Sequence, residues 1–138
     1  MNKVVAKDLD HLKVLVANEI KNNGLRCSLN HIDVSNITDM SALFYRSDFN
    51  GDISQWDVSN TTNMYNMFRD SIWNGDISNW DVSNVIDMNT MFYKSPFNKN
   101  LSKWNINPDC DVKMMIYYTI IKKAYKPRQN GKIIPSNN

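Results

Sequence analysis

Long apolar runs are missing from this 138-residue sequence. Its opening stretch, MNKVVAKDLDHLKVLVANEI, is interrupted by Lys7, Asp8, Asp10, His11, Lys13 and Glu19, and so lacks the apolar core of a signal peptide or membrane span. The expectation is a soluble, cytoplasmic chain, or a cell-surface one if a leader has been removed. Histidine and cysteine are scarce too. His11 and His31 are isolated from each other and from any cysteine pair, and no calcium-loop spacing occurs, so neither a metal nor a cofactor is expected. No serine lies in a G-x-S-x-G motif and there is no glycine-rich phosphate loop, which leaves enzyme activity without support.

What the chain does contain is a 24-residue unit written three times without a gap: Asp33–Trp56, Asp57–Trp80 and Asp81–Trp104. The units read DVSNITDMSALFYRSDFNGDISQW, DVSNTTNMYNMFRDSIWNGDISNW and DVSNVIDMNTMFYKSPFNKNLSKW. A period in this range is the signature of a solenoid, in which each unit buries its apolar face only against its neighbours. Cys27 and Cys110 flank the array. With strands roughly 4.8 Å apart they would lie about 14 Å or more from each other, whereas a disulfide needs Cα atoms within about 7 Å. Free thiols are expected.

Each unit reads as strand, short helix and return loop. In Ile53-Ser54-Gln55-Trp56-Asp57-Val58 the alternation of Trp56 and Val58 predicts an inward strand face, so Val34, Val58 and Val82 stack, as do Trp56, Trp80 and Trp104. Ser59-Asn60 precedes the i, i+3, i+4 set Met64, Met67 and Phe68, which predicts a capped helical turn or two. Asn50-Gly51 and Asn74-Gly75 predict turns in which glycine supplies a positive φ.

The ends should cover the apolar faces of the array. Leu9, Leu12, Val16 and Ile20 predict one capping helix from about Lys7 to Asn22, closed by Gly24, and residues 111–126 predict a second. The expected organisation is one domain: residues 1–32 as N-terminal cap and partial repeat, 33–104 as the three repeats, 105–126 as degenerate repeat and C-terminal cap, and 127–138 as a basic tail. Charge is divided the same way. Residues 1–32 carry five Lys/Arg against three acids, residues 33–104 five against nine, and residues 105–138 six against two. An acidic middle between basic ends bears on the choice of partner.

The pattern D-V-S-N-V-x-x-M-x-x-M-F followed by F-N-x-D-I-S-x-W resembles the BspA-like leucine-rich-repeat family, over about residues 25–116. The resemblance implies an α/β fold: a short, right-handed, leucine-rich-repeat-like solenoid with a parallel sheet, short helices on the opposite side and capping helices at both ends. It also implies binding rather than catalysis. Family members known as adhesins carry export signals and more repeats, which favours here a compact binder of the kind a phage or mobile element encodes as an inhibitor or accessory factor.

The function expected is therefore a non-enzymatic protein–protein interaction module. Residues that vary between units supply its candidate surface: Gln55, Asn79 and Lys103 beside the outward Asp57 and Asp81 on the strand face, which is slightly preferred, and Tyr45, Arg46, Tyr65, Arg69 and Tyr93 on the helix side. Tyr and Arg are the types that most often anchor interfaces. Two rivals stand beside it. Lys122, Lys123, Lys126 and Arg128 form a basic end able to contact nucleic acid, and the aromatics could make an adhesive or carbohydrate-binding surface. The tryptophans themselves read as core, each burying about 150–250 Å². A homodimer through the cap surface of Met114, Ile116, Tyr117, Ile120 and Ile121 is a further possibility.

Overall fold

A computed structural model describes residues 3–137. Its regular elements are few: strand β1 (Val4–Val5), helix α1 (Leu9–Asn23), strand β2 (Ile32–Asp33), a 3-10 helix (Lys123–Tyr125) and strands β3 (Arg128–Gln129) and β4 (Lys132–Ile133). β1 pairs parallel with β2, and β3 pairs antiparallel with β4. The expected α/β solenoid is thereby overturned. Among the described residues there is one α-helix and two sheets of two strands each, with no continuous parallel sheet, no helix inside any repeat and no second capping helix.

Turns take the place of both strand and helix. Within the 24-residue units the backbone is joined at isolated parallel bridges, Asp39 to Asn63, Asn63 to Asp87 and Asp87 to Asp111. Beside each bridge run two consecutive turns, such as Met40 to Leu43 and Phe44 to Ser47, each closed by the N–H of its fourth residue on the carbonyl of its first. The third residue of every such turn has positive φ: Ala42, Arg46, Asn66, Asp70, Thr90, Lys94, Met114 and Tyr118, all between 53° and 59°. Positive φ at that position alone marks a type II turn.

None of these eight residues is glycine, and the left-handed conformation costs an ordinary residue roughly 1–2 kcal/mol. The compensation is between units. Ala42 N–H donates to Tyr65 O at 2.8 Å, Arg46 to Arg69 O at 2.9 Å, Asp70 to Tyr93 O at 2.9 Å and Thr90 to Lys113 O at 3.0 Å. In a helix these same N–H groups would turn back four residues along their own chain. The spacing Met64, Met67, Phe68 therefore arises without a helix, because type II turns also aim those three side chains inward, where all are fully buried.

Side chains complete the stacking. Trp56, Trp80 and Trp104 are buried, and their Nε1 atoms donate to Leu29 O, Ile53 O and Ile77 O at 2.9, 3.2 and 2.9 Å. Phe44, Phe68 and Phe92 stack ring on ring, 5.6 and 5.4 Å between centroids. Asn60 Nδ2 donates to Ser35 O and Asn84 Nδ2 to Ser59 O, so the Asn of D-V-S-N binds the preceding unit rather than capping a helix. Gly51 and Gly75 do not have positive φ. Their role is space, because a Cβ on Gly51 would lie 1.9 Å from Cys27 O and one on Gly75 would lie 2.4 Å from the Trp73 ring.

α1 forms where its apolar spacing and Gly24 predict. Asp8 accepts the His11 N–H at 2.8 Å, Gly24 closes the end at φ 89°, and Leu12 and Val16 enter the core. At the other end, residues 111–118 continue the turn row instead of forming a helix, and the chain after Pro127 is a folded hairpin rather than a tail. Asn130 and Gly131 join β3 to β4, both with positive φ, as a two-residue type I′ turn requires. Ile134 is buried, and Gln129 Nε2 donates to Asn107 O and Cys110 O, each at 2.9 Å.

Candidate functional site

Apart from buried Thr90, the turn row presents its second and third positions at least partly to solvent, and residues 24 apart fall in columns. Tyr45, Arg69, Tyr93 and Tyr117 make one column, and Arg46, Asp70, Lys94 and Tyr118 make the next. The guanidinium of Arg69 sits 5.0 Å from the centre of the Tyr93 ring, that of Arg46 lies 5.2 Å from Tyr45, and Tyr118 meets Tyr93 edge-on at 5.3 Å. Lys94 Nζ approaches the Tyr93 ring as well, at 5.5 Å. Each such cation–aromatic contact contributes about 0.5–1 kcal/mol where exposed.

Arg69 Nε is buried and lies 3.4 Å from Asp70 Oδ2, an ion-pair distance whose geometry makes no hydrogen bond. A buried donor without a partner costs about 1–3 kcal/mol. Tyr45 and Tyr65 remain 38% and 40% exposed, and Ile72 and Ile120, from a third column, 49% and 64%. The structure thus brings Tyr45, Arg46, Arg69 and Tyr93 into one stripe with Tyr118, and places Tyr65 in a separate column of the same turn row. Ile72 is not singled out by residue type, and Ile120 enters the sequence reading only as part of the apolar cap surface. Aligning the units at 24 residues shows them where Asp48 and Pro96 stand in the other turns.

The aspartates on the other side of the unit are engaged within their own turns. Asp57 Oδ1 accepts the N–H and hydroxyl of Ser59 at 3.0 and 2.6 Å, and Asp81 Oδ1 accepts those of Ser83 at 3.1 and 2.6 Å. These hydrogen bonds hold both carboxyls below the usual aspartate range. Gln55, Asn79 and Lys103 share an exposed column nearby. His31, half-buried, pairs with Glu19 at 3.0 Å.

The basic end does not act as one patch. Lys123, Lys126 and Arg128 border a cavity of about 500 Å³ with Ile133. Within that group Lys126 Nζ donates to Ser136 Oγ at 2.6 Å and Arg128 Nη1 to Gly131 O at 3.0 Å, while Lys122 faces a different groove. The apolar cap surface is divided as well, since Ile116 and Ile121 are buried and Ile120 is exposed.

Both cysteines are free. Burial, with Asp87 close by, pushes the Cys110 thiol up to about 12, so it is not a nucleophile at neutral pH. Among the described residues no group of three or more His, Cys, Asp or Glu could hold a metal ion, and no helix is long and apolar enough to cross a membrane.

Comparison with curated proteins and with solved structures found no match. Residues 14–126 match a family described as Mycoplasma protein of unknown function, DUF285, which takes in α1 from Val14 onward, all three repeats and the 3-10 helix. With most of its length inside that match, the chain belongs to the DUF285 family.

Proposed function

We propose that this chain is a non-enzymatic protein–protein interaction module that binds through its turn face. The observation that carries the reading is the Tyr45, Arg46, Arg69 and Tyr93 stripe, in which aromatic rings, guanidinium groups and an unsatisfied buried Arg69 donor lie side by side on rigid backbone. Aromatics and arginine dominate interface energetics, and their conformational cost is low when neighbouring turns already hold them. Exposed Ile72 and Ile120 extend the stripe with apolar surface of the kind contacts bury.

The turn face is preferred over the Asp57 and Asp81 side, because those carboxylates already serve the Ser59 and Ser83 turns. The BspA-like character of the repeat motif points the same way, toward binding. Buried Trp56, Trp80 and Trp104 offer no stacking platform to sugars, and the basic end spends two of its cations on internal hydrogen bonds.

Affinity capture from the native host with the intact chain, read by mass spectrometry, tests the reading. A partner retained by the wild type and lost with Tyr45→Ala/Tyr93→Ala, in a variant whose circular dichroism is unchanged, supports it. Retention of every captured protein by that variant, with loss by Asp57→Lys instead, overturns the choice of face.

A further inference from the structure

The groove bordered by Lys99, Lys103 and Lys122 has a volume of about 640 Å³, within the range of roughly 300–1,000 Å³ in which proteins hold small ligands. We propose that it is a binding site for a small anion carrying two or three closely spaced negative charges. This inference goes beyond the turn-face interaction and does not depend on it.

The first argument is internal to the repeat. One unit earlier the same side of the molecule forms a groove of about 430 Å³ around Gly51, Asp52, Gly75 and Asp76. Moving 24 residues along, glycine at 51 and 75 becomes Lys99, aspartate at 52 and 76 becomes Asn100, Gln55 and Asn79 become Lys103, and Asn50, Asn74 and Asn98 give way to Lys122. Three of these columns change toward positive charge together in the third unit, and Lys122 follows one unit on, at the start of the 3-10 helix.

The second argument is the supply of donors. The backbone N–H of Asn98 donates to Asn74 Oδ1 at 2.9 Å, and that of Lys122 donates to Asn98 Oδ1 at 3.0 Å. An N–H can only meet the amide oxygen, so the –NH₂ group of each asparagine takes no part in that contact and is a further donor among the residues that border the groove. Three ammonium groups, none in an ion pair among the described residues, add strong donors. Asp76 is the one carboxylate in the lining.

The third argument limits size. Asp52 and Asp76, with Arg26 the one cation beside them, continue the groove toward the N-terminal end, so a long polyanion laid along it would meet net negative charge outside the lysine cluster. Tyr125, with Lys122 Nζ 5.6 Å from its ring centre, closes the other end. The shape and the sign of the charge therefore select a compact anion over a nucleic-acid strand.

Calorimetric titration of the full chain with pyrophosphate, citrate and a 20-nucleotide single strand tests the site. The expected result is one-to-one binding of pyrophosphate or citrate that weakens at least tenfold in Lys99→Gln/Lys103→Gln, is unchanged in Lys132→Gln and falls as salt rises. Both substituted lysines are exposed, and an unchanged amide spectrum confirms that the variants are folded. Which of the two small anions binds more tightly distinguishes a phosphate from a carboxylate source. Absence of binding by both, binding indifferent to Lys99 and Lys103, or tighter binding of the strand than of either small anion overturns the proposal.

Discussion

Tyr118 N–H donates to the side-chain Oδ1 of Asn137 at 2.8 Å, whereas the equivalent N–H groups of Arg46, Asp70 and Lys94 each reach a backbone carbonyl of the next unit. Asn137 takes the place of that carbonyl, and a side chain continues a ladder that the backbone began. Replacing Asn137 with Ala leaves the Tyr118 donor to water. The expected outcome is faster amide exchange at Tyr118 with little change at Asp70, and a loss of about 0.5–1.5 kcal/mol in urea denaturation.

Gly51 and Gly24 separate two reasons for glycine. At Gly51 an added methyl would meet the backbone carbonyl of Cys27 at 1.9 Å, while at Gly24, φ 89°, it would meet nothing within 4 Å. Gly51→Ala should destabilise by about 3 kcal/mol, at the upper end of the overpacking range, because backbone has to move. Gly24→Ala should cost about 1 kcal/mol, from conformation alone. Denaturation midpoints of the two variants check the order.

Lys94 holds φ 55° with an exposed side chain. Lys94→Gly removes the left-handed penalty of about 1–2 kcal/mol and adds backbone entropy to the unfolded chain worth about 0.5–1 kcal/mol. With the Lys94 contact to the Tyr93 ring lost as well, little net change is expected. Lys94→Val, β-branched in the same conformation, should be destabilising by more than 1 kcal/mol. Thermal melts of both variants test whether the left-handed positions are strained or merely permitted.

Acid should weaken the molecule in a defined window. The hydroxyl and N–H of Ser59 hold Asp57 below its ordinary 3.8, Ser83 does the same for Asp81, and the N–H and hydroxyl of Ser54 and Ser78 lower Asp52 and Asp76. The folded values lie below the unfolded ones, so this contribution is complete above about pH 4 and is lost as pH falls through the folded values. Stability measured from pH 6 to pH 2 should fall steadily below pH 4. Asp33 and Asp81 push Asp57 the other way. Asp57→Asn, which keeps an acceptor for Ser59 and removes the titrating charge, should flatten the acid limb, and Ser59→Ala with Ser83→Ala should shrink it too, by bringing the folded values nearer the unfolded ones.

Much of the core is legible in the repeat. The inward columns Val34, Val58, Val82 and Ile106, and Trp56, Trp80 and Trp104, are buried as their positions imply, and α1 with its Asp8 and Gly24 ends follows from ordinary capping chemistry. The local backbone is not legible in the same way. Periodicity reports which side chains point inward, and a pair of type II turns satisfies Met64, Met67 and Phe68 as well as a helix does. The Asn130-Gly131 hairpin was readable from its turn residues, yet the polar composition around it suggests a tail.

The candidate sites divide along the same line. Residue type marks Tyr45, Arg46, Arg69 and Tyr93, but only the turn geometry puts a guanidinium over the Tyr93 ring and leaves the Arg69 Nε buried without a hydrogen bond. Lys99 and Lys103 lie in one unit and Lys122 in the next, and together they carry no motif. They share a groove because the units register at 24 residues.

By itself the sequence determined the length of the unit, the identity of the buried columns and the place of the N-terminal helix, because burial of apolar area depends on residue type and spacing. Only the tertiary structure decided how the backbone travels between those columns. Six of the eight left-handed turn residues donate their N–H groups to carbonyls in a neighbouring unit, and that exchange of local preference for stacking hydrogen bonds leaves no mark in any single repeat.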